Sequence, residues 1–208
     1  MKKILLLLTV FALLSPAAKA ETADDVKAYS QTLVSEAIVE IFHDGNTNAK
    51  RIEKFRTVIT ARLDWDTIAN FVLGVYARDA TPEEKADFIN AFREFNVYSQ
   101  VKKFSAYNGQ QVEVESATPG KRPGEWFATS RIKALNPSDK DLEVVWRIVV
   151  RDGVYKVQDI VIEGVSMASS FRTEYAPIMK AAADEGKRPV PELVEKISAK
   201  TAELEKNI

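Results

Sequence analysis

The spacing of apolar residues changes along this chain, and the change limits the fold more than any other feature. Before Asn108–Gly109, apolar residues recur every three or four positions, as on one face of a helix. From there to about Glu163 they alternate with polar residues, which is typical of strands with one buried face. Helical spacing returns from Met167. This order predicts an α+β fold, with helices packed on one face of a curved antiparallel sheet.

The first part of the chain predicts four helices. Apolar stripes run from Val26 to Ile41, from Ile52 to Leu63 and from Asp64 to about Arg78. The fourth helix has the clearest start, because Thr81–Glu84 combines an N-cap threonine, a proline at the first helical position and a capping-box glutamate. Two more helices are expected at the C-terminal end of the chain, from Met167 and from Pro189.

Four strands in an antiparallel meander are predicted between these helical parts. The last two are joined at Asp152–Gly153, a dipeptide typical of tight hairpins. The fourth strand, Val154 to Glu163, is ambiguous, because Val157 shares one face with Asp159 while Ile160 and Ile162 lie on the other.

The N-terminus has the three parts of a secretory signal peptide. Lys2 and Lys3 precede an apolar run from Ile4 to Leu14, which is too short to span a bilayer, and small residues follow at Ala18 and Ala20. We expect residues 1–20 to be removed after Ala20 and the protein to act in the periplasm. Residues 21–208 would then form one domain, helical over 21–108, a sheet over 110–163 and C-terminal helices over 164–208.

Composition argues against several classes of function. The chain has no cysteine and one histidine, His43, so an ordinary zinc site lacks its ligands and we expect neither metal nor cofactor. Removing Lys2, Lys3 and Lys19 lowers the formal net charge from −1 to −4, which does not favour nucleic acid binding. No serine lies in a G-x-S-x-G motif, so a hydrolase of that kind is not indicated.

Asp159 is the most unusual polar residue, since it lies within an apolar run from Val157 to Val165. A buried carboxylate is either a functional acid or base, or it is held by hydrogen bonds and charges. We favour the structural interpretation, in which Asp159 pairs with Arg147 or Arg172 or caps the following helix. As a general base it would need a proton donor such as Tyr76 or Tyr155.

Four segments together resemble one family. Asp159–Ser166 with Phe171–Tyr175 is similar to the signature of the MlaC/Ttg2D family, the toluene-tolerance Ttg2 type of periplasmic phospholipid-binding protein. Three other segments resemble further family motifs in the same order, namely Phe71–Tyr76, Thr81–Phe92 and Tyr107–Val112. Each motif is weak alone, but together they span nearly the whole chain after the signal peptide.

The resemblance implies an NTF2-like sheet with surrounding helices that enclose a deep apolar pocket. A monomer would bind phospholipid there and carry it between an outer-membrane lipoprotein complex and an inner-membrane ABC transporter complex with an MCE-domain protein, which maintains outer-membrane lipid asymmetry. The predicted pocket residues are apolar side chains on the inward faces: Phe71, Val75, Tyr76, Phe88, Phe92, Val112, Val114, Trp126, Ile132, Val144, Trp146, Ile148, Val150, Val157, Met167 and Phe171.

Three alternatives remain open from sequence. Tyr155 and Gln158 depart from the residues usual in the family, so the cargo can be another lipid, such as a hopanoid. The protein can also be an enzyme on an NTF2-like scaffold with Asp159 as base. Finally, it can be an adaptor that binds only proteins, with a fully packed core, because core and pocket residues share one pattern.

Overall fold

A computed structural model describes residues 21–42, 45–104, 109–136 and 138–208. The predicted signal peptide and His43 lie outside the described residues. Within these ranges the α-helices are α1 (Ala23–Val34), α2 (Glu40–Phe42), α3 (Asn48–Arg62), α4 (Trp65–Leu73), α5 (Pro82–Lys103), α6 (Met167–Asp184) and α7 (Pro189–Glu205). A π-helical segment (Ser35–Val39) joins α1 to α2, and a 3₁₀ turn (Gly74–Ala77) follows α4.

The sheet is antiparallel, and its strands follow the chain order. They are β1 (Val112–Pro119), β2 (Glu125–Ile132), β3 (Leu142–Arg151), β4 (Val154–Ile162) and β5 (Val165–Ser166). The predicted α+β class and the four-strand meander are confirmed. The two-residue strand β5 was not predicted, because so short a strand leaves no alternating pattern in the sequence.

Local signals in the sequence account for the ends of several elements. Thr81 Oγ1 accepts a hydrogen bond from the Glu84 backbone N–H at 3.2 Å, and Glu84 Oε2 accepts one from the Thr81 N–H at 2.9 Å. The predicted capping box is therefore confirmed. Asp152 and Gly153 have φ of 52° and 74°, as the tight turn between β3 and β4 requires.

A β-bulge in strand β4 resolves the ambiguity of that strand. Val157 pairs with Ile148 while Asp159 pairs with Arg147, so Gln158 is an extra residue opposite β3. The alternation changes phase at this point. Ile160 then pairs with Trp146, a buried residue of the inner face, so the second half of β4 presents the other set of side chains to the interior.

The apolar interior consists of two clusters. One is formed among the helices and includes Phe88, Phe92 and Leu193, with Tyr175 packed beside them. The other lies between helix α1 and the inner face of the sheet, where Val114, Ile148 and other strand residues are buried. Val58 and Leu63 of the α3 end pack against both clusters.

A short joint fastens the corner between α3 and α4 to strand β4. Leu63 forms an isolated β-bridge with Val157, and the Asp64 N–H donates to the Val157 carbonyl at 2.9 Å. The Asp64 carboxylate accepts from Gln158 Nε2 at 3.0 Å and from the Thr67 N–H at 3.2 Å, so it also caps α4. One aspartate thus ties a helix start to the bulge in the sheet.

Burial alone would raise the pKa of Asp64, but the hydrogen bonds from Gln158 and Thr67 outweigh it and hold the pKa below its usual value of 3.8. The ionised carboxylate therefore stabilises the fold above about pH 4, and this stabilisation is lost as pH falls through the lower folded-state pKa. We predict that Asp64→Asn, which keeps a capping oxygen, makes the free energy of unfolding less sensitive to pH in this acid range.

The measurement is chemical denaturation between pH 7 and pH 3. Asp66→Asn, at an exposed position two residues along the same helix, is the matched control and should follow the wild-type profile. Superimposable profiles for wild type and Asp64→Asn would contradict the role given to the Asp64 charge.

Candidate functional site: an apolar cavity between helices and sheet

A cavity separates the inner face of the sheet from the helices. Its helical wall comes from α1 and the π-helical segment, α3, α4, α5 and α6, and its floor from β2, β3 and β4. The helical lining residues are Leu33, Ala37, Ile38, Phe55, Val58, Ile59, Leu63, Trp65, Ile68, Phe92, Asn96, Gln100, Phe104, Met167, Ala168 and Phe171. The sheet contributes Ile132, Leu142, Val144, Trp146, Val157, Gln158, Asp159, Ile160 and Ile162.

The cavity is apolar and of a size that admits hydrocarbon. All its lining residues except Asn96, Gln100, Gln158 and Asp159 are apolar. The empty space is about 1090 Å³ with the open mouth included, and the centre of a water molecule can occupy about 140 Å³ of it. An apolar engineered cavity of about 150 Å³ stays dry and binds benzene, so this interior is suited to apolar ligands rather than water.

Burial identifies the closed and open ends. Val157 is fully buried and Phe92 is 2% exposed, whereas Leu142 is 37% exposed and is the most exposed lining residue. Leu142 starts β3 and pairs with Ile132 at the end of β2. The cavity therefore opens at this end of the sheet, and the joint between Leu63 and Val157 lies at its closed part.

The polar groups of the sheet wall are occupied by hydrogen bonds within the protein. Gln158 Nε2 donates to Asp64, as described above. The Asp159 carboxylate accepts from the Ile160 N–H at 2.9 Å, from the Ala168 N–H at 3.0 Å and from the Ser166 hydroxyl at 2.5 Å. Asp159 thus caps the start of α6, one of the structural roles expected from sequence, while Arg147 donates to Glu125.

The π-helical segment that forms part of the wall is held by a charged and aromatic group. Arg62 at the end of α3 forms a two-pronged ion pair with Glu36, with Nη2–Oε2 at 2.6 Å. The Arg62 guanidinium also lies 5.5 Å from the centre of the Tyr29 ring, and Tyr29 stacks on Tyr155 at 4.5 Å. The hydrogen bond to Glu36 raises the pKa of Arg62 above its usual value, so the guanidinium of this contact stays protonated.

The described ranges contain neither a cluster of metal-binding side chains nor a helix that could cross a membrane. Over the described ranges, no group of three or more His, Cys, Asp or Glu side chains is placed to hold a metal ion. None of the helices in the same ranges is both long enough and apolar enough to cross a membrane.

Comparison with known proteins places this architecture in a family. The family model described as MlaC protein matches residues 31–196. The chain belongs to the MlaC family. The matched range includes every residue that lines the cavity, so the cavity is built from the part of the chain that the family shares.

Two individual relatives agree with this assignment. The chain is 25% identical over 189 residues to the toluene tolerance protein ttg2D of Pseudomonas putida. The aligned region covers 85% of this chain and 81% of that relative. A solved structure of a phospholipid-binding protein from Ralstonia solanacearum, in complex with a phospholipid, superposes with a TM-score of 0.71 at 19% identity. That match covers 86% of this chain and 97% of the other, and shows that the fold is shared.

The structure brings part of the predicted pocket set together at the cavity. The predicted residues that line it are Phe92, Ile132, Val144, Trp146, Val157, Met167 and Phe171. They come from α5, from three strands and from the start of α6, so the predicted helix-on-sheet contact creates the cavity. Their contact with a ligand stays a prediction.

The other predicted residues lie elsewhere. Phe88 is fully buried in the helical cluster, where its ring stacks on Phe92 at 5.3 Å, and Tyr76 packs at the border of the same cluster. Helix α1 packs on β1 and β2, and the following predicted residues lie in or against the second cluster: Val112, Val114, Trp126, Ile148 and Val150.

Phe71 and Val75 lie on the surface, 40% and 61% exposed. Helix α4 ends at Gly74, whose φ is +59°, and the chain continues as a 3₁₀ turn. The periodicity of an uninterrupted helix therefore does not apply there. A Cβ on Gly74 would lie 3.2 Å from the Arg172 guanidinium, which stacks 5.1 Å from the centre of the Phe71 ring.

Several lining residues were not predicted as pocket residues. Leu33, Ala37 and Ile38 belong to the apolar stripe of the first helix, which looks like any core-facing stripe in sequence. Ile160 and Ile162 reach the cavity because of the bulge at Gln158, and the conflict of phase in the fourth strand was the signal that could have found them.

The contacts of Asp159 give a prediction about its role. Asp159→Ala removes three hydrogen bonds to a charged acceptor, including the one from the Ala168 N–H in the first turn of α6, so it should lower the free energy of unfolding by about 2–3 kcal/mol. Denaturant titration measures this, and Glu174→Ala on the exposed face of α6 should change the value by no more than about 0.5 kcal/mol. Unchanged stability in Asp159→Ala would contradict the structural role.

Proposed function

We propose that this protein binds a phospholipid, with acyl chains in the cavity and the head group at the mouth near Leu142. The observation that carries the proposal is the cavity itself, an almost wholly apolar space open at one end of the sheet. An amphiphile fits such a site, because its tails leave water while its polar head stays at the opening.

The energetics of transfer favour a deep cavity over a shallow groove. Burial of each methylene group contributes about 0.8 kcal/mol, so a long acyl chain in water is unfavourable by about 10 kcal/mol or more. A carrier must offset most of that cost, yet it must not bind so tightly that the lipid cannot return to a bilayer. An apolar wall with few polar atoms provides an environment close to that of the bilayer interior.

Family membership supports the proposal. The ligand in the structurally similar Ralstonia solanacearum protein is a phospholipid, and that protein has the same fold over most of its length. We propose the same class of cargo here, and a role as a periplasmic carrier between an outer-membrane lipoprotein complex and an inner-membrane MCE-domain transporter complex. The signal-peptide pattern of residues 1–20 supports the periplasmic location.

An enzyme with Asp159 as general base has less support. The Asp159 carboxylate already accepts hydrogen bonds from two backbone N–H groups and from Ser166. Neither Tyr76 nor Tyr155, the proton donors considered from sequence, is among the residues that line the cavity with Asp159. A base and its proton donor must reach the same substrate, so this geometry does not favour acid–base chemistry.

The test is to fill the cavity. Ile160 lies on strand β4 in the cavity wall, and Ile160→Trp should occupy space that the acyl chains need. We expect at least a tenfold loss in the extraction of fluorescent phospholipid from vesicles. Circular dichroism and thermal unfolding report whether the variant keeps its fold.

Val154→Trp is the matched control, because it makes a similar change on the same strand at a position 55% exposed and outside the cavity. It should extract lipid like the wild type. If folded Ile160→Trp and the wild type extract lipid equally, the lipid does not use this cavity. If the wild type extracts none, the carrier proposal fails.

A further inference from the structure

Helix α5 carries a row of side chains that becomes more polar towards the C-terminal end of the helix. Phe92 is 2% exposed, Asn96 and Gln100 are half-buried, and Lys103 is exposed at the last position of the helix. At 3.6 residues per turn these four positions fall within about 80° of arc, so they share one face of the helix. Phe92, Asn96 and Gln100 all line the cavity.

The two amides of this row have N–H groups left to donate. Asn96 Nδ2 donates to the Phe92 carbonyl at 2.7 Å, which fixes the orientation of the amide and leaves its second N–H. The Gln100 side chain makes no hydrogen bond to any residue in the described part of the chain. Polar groups facing an apolar space are unfavourable unless a ligand or water satisfies them.

Lys103 extends the row to the protein surface. It forms no ion pair with any residue in the described ranges. Lys102 and Lys103 both lie in the last turn of α5, where either charge interacts favourably with the helix dipole. Only Lys103 shares the face of Asn96 and Gln100, since Lys102 is rotated by about 100° from Lys103.

We propose that the row Phe92, Asn96, Gln100 and Lys103 recognises the linkage region of a glycerophospholipid. The amide N–H groups of Asn96 and Gln100 donate to the ester carbonyls, and the Lys103 ammonium pairs with the phosphate. The order along the helix, apolar, amide and then cation, matches the order of acyl chain, ester and phosphate in the ligand. This inference rests on the proposed function and adds which part of the ligand is recognised, and by which side chains.

The first test compares a diacyl phosphatidylglycerol with its dialkyl ether analogue, which lacks the two ester carbonyls. Full-length mature protein is incubated with vesicles that contain both lipids in equal amounts, and bound lipid is quantified by mass spectrometry. A net hydrogen bond of about 1 kcal/mol corresponds to about fivefold, so the wild type should prefer the diester by about fivefold or more.

Two nearly isosteric variants should lower this preference. Gln100→Met and Asn96→Leu each remove an amide, and each should shift the diester-to-diether ratio towards one. Asn90→Leu removes an exposed amide elsewhere on α5 and should keep the wild-type ratio. Equal uptake of the two lipids by wild type, or an unchanged ratio in both variants, would overturn the inference. Uptake of neither lipid would instead defeat the proposed function.

The second test isolates the charge. Lys103→Gln should reduce the preference for phosphatidylglycerol over uncharged diacylglycerol about fivefold, and Lys102→Gln should leave it unchanged. Equal effects of the two substitutions would assign Lys103 to the helix dipole alone and remove it from the proposed site.

Discussion

The joint between the α3–α4 corner and strand β4 is the contact on which the cavity depends. Asp64 hydrogen-bonds both the backbone of Val157 and the side chain of Gln158, and Gln158 is the extra residue of the bulge. The joint holds helices and sheet together at the closed part of the cavity. Away from it, neither the helical cluster nor the α1–sheet cluster fills the space between the layers.

The polar residues of the cavity wall form two groups that differ in how far their hydrogen-bonding groups are satisfied within the protein. Gln158 and Asp159 on the sheet donate or accept hydrogen bonds within the protein, and they fix the bulge and the start of α6. On α5, Asn96 keeps an N–H group and Gln100 its whole amide for a ligand. The polar contacts of the sheet wall are therefore structural, whereas the polar side chains of the α5 wall have N–H groups left to donate.

Several features of the fold could be predicted from the sequence, because each depends on local chemistry or simple periodicity. They are the fold class, the strand meander, the hairpin at Asp152–Gly153 and the capping box at Thr81. Trp146 and Phe171 were predicted as pocket residues and line the cavity. Ile148 and Phe88 were predicted there as well, but they are buried in the two clusters and do not line it. Apolar residues that pack against protein and those that face a cavity have the same pattern. The tertiary position of α1, which packs on β1 and β2, and the phase change at Gln158 separate them.

Native mass spectrometry can show whether this cavity holds the acyl chains of one phospholipid, as we propose. Mature protein is purified from a bacterial periplasm without detergent and measured under native and denaturing conditions. We expect a phospholipid adduct, in a defined ratio to protein, that disappears on denaturation. Bare protein that also takes up no phospholipid from added vesicles would contradict it, as would an adduct that the cavity-filling Ile160→Trp variant retains in full.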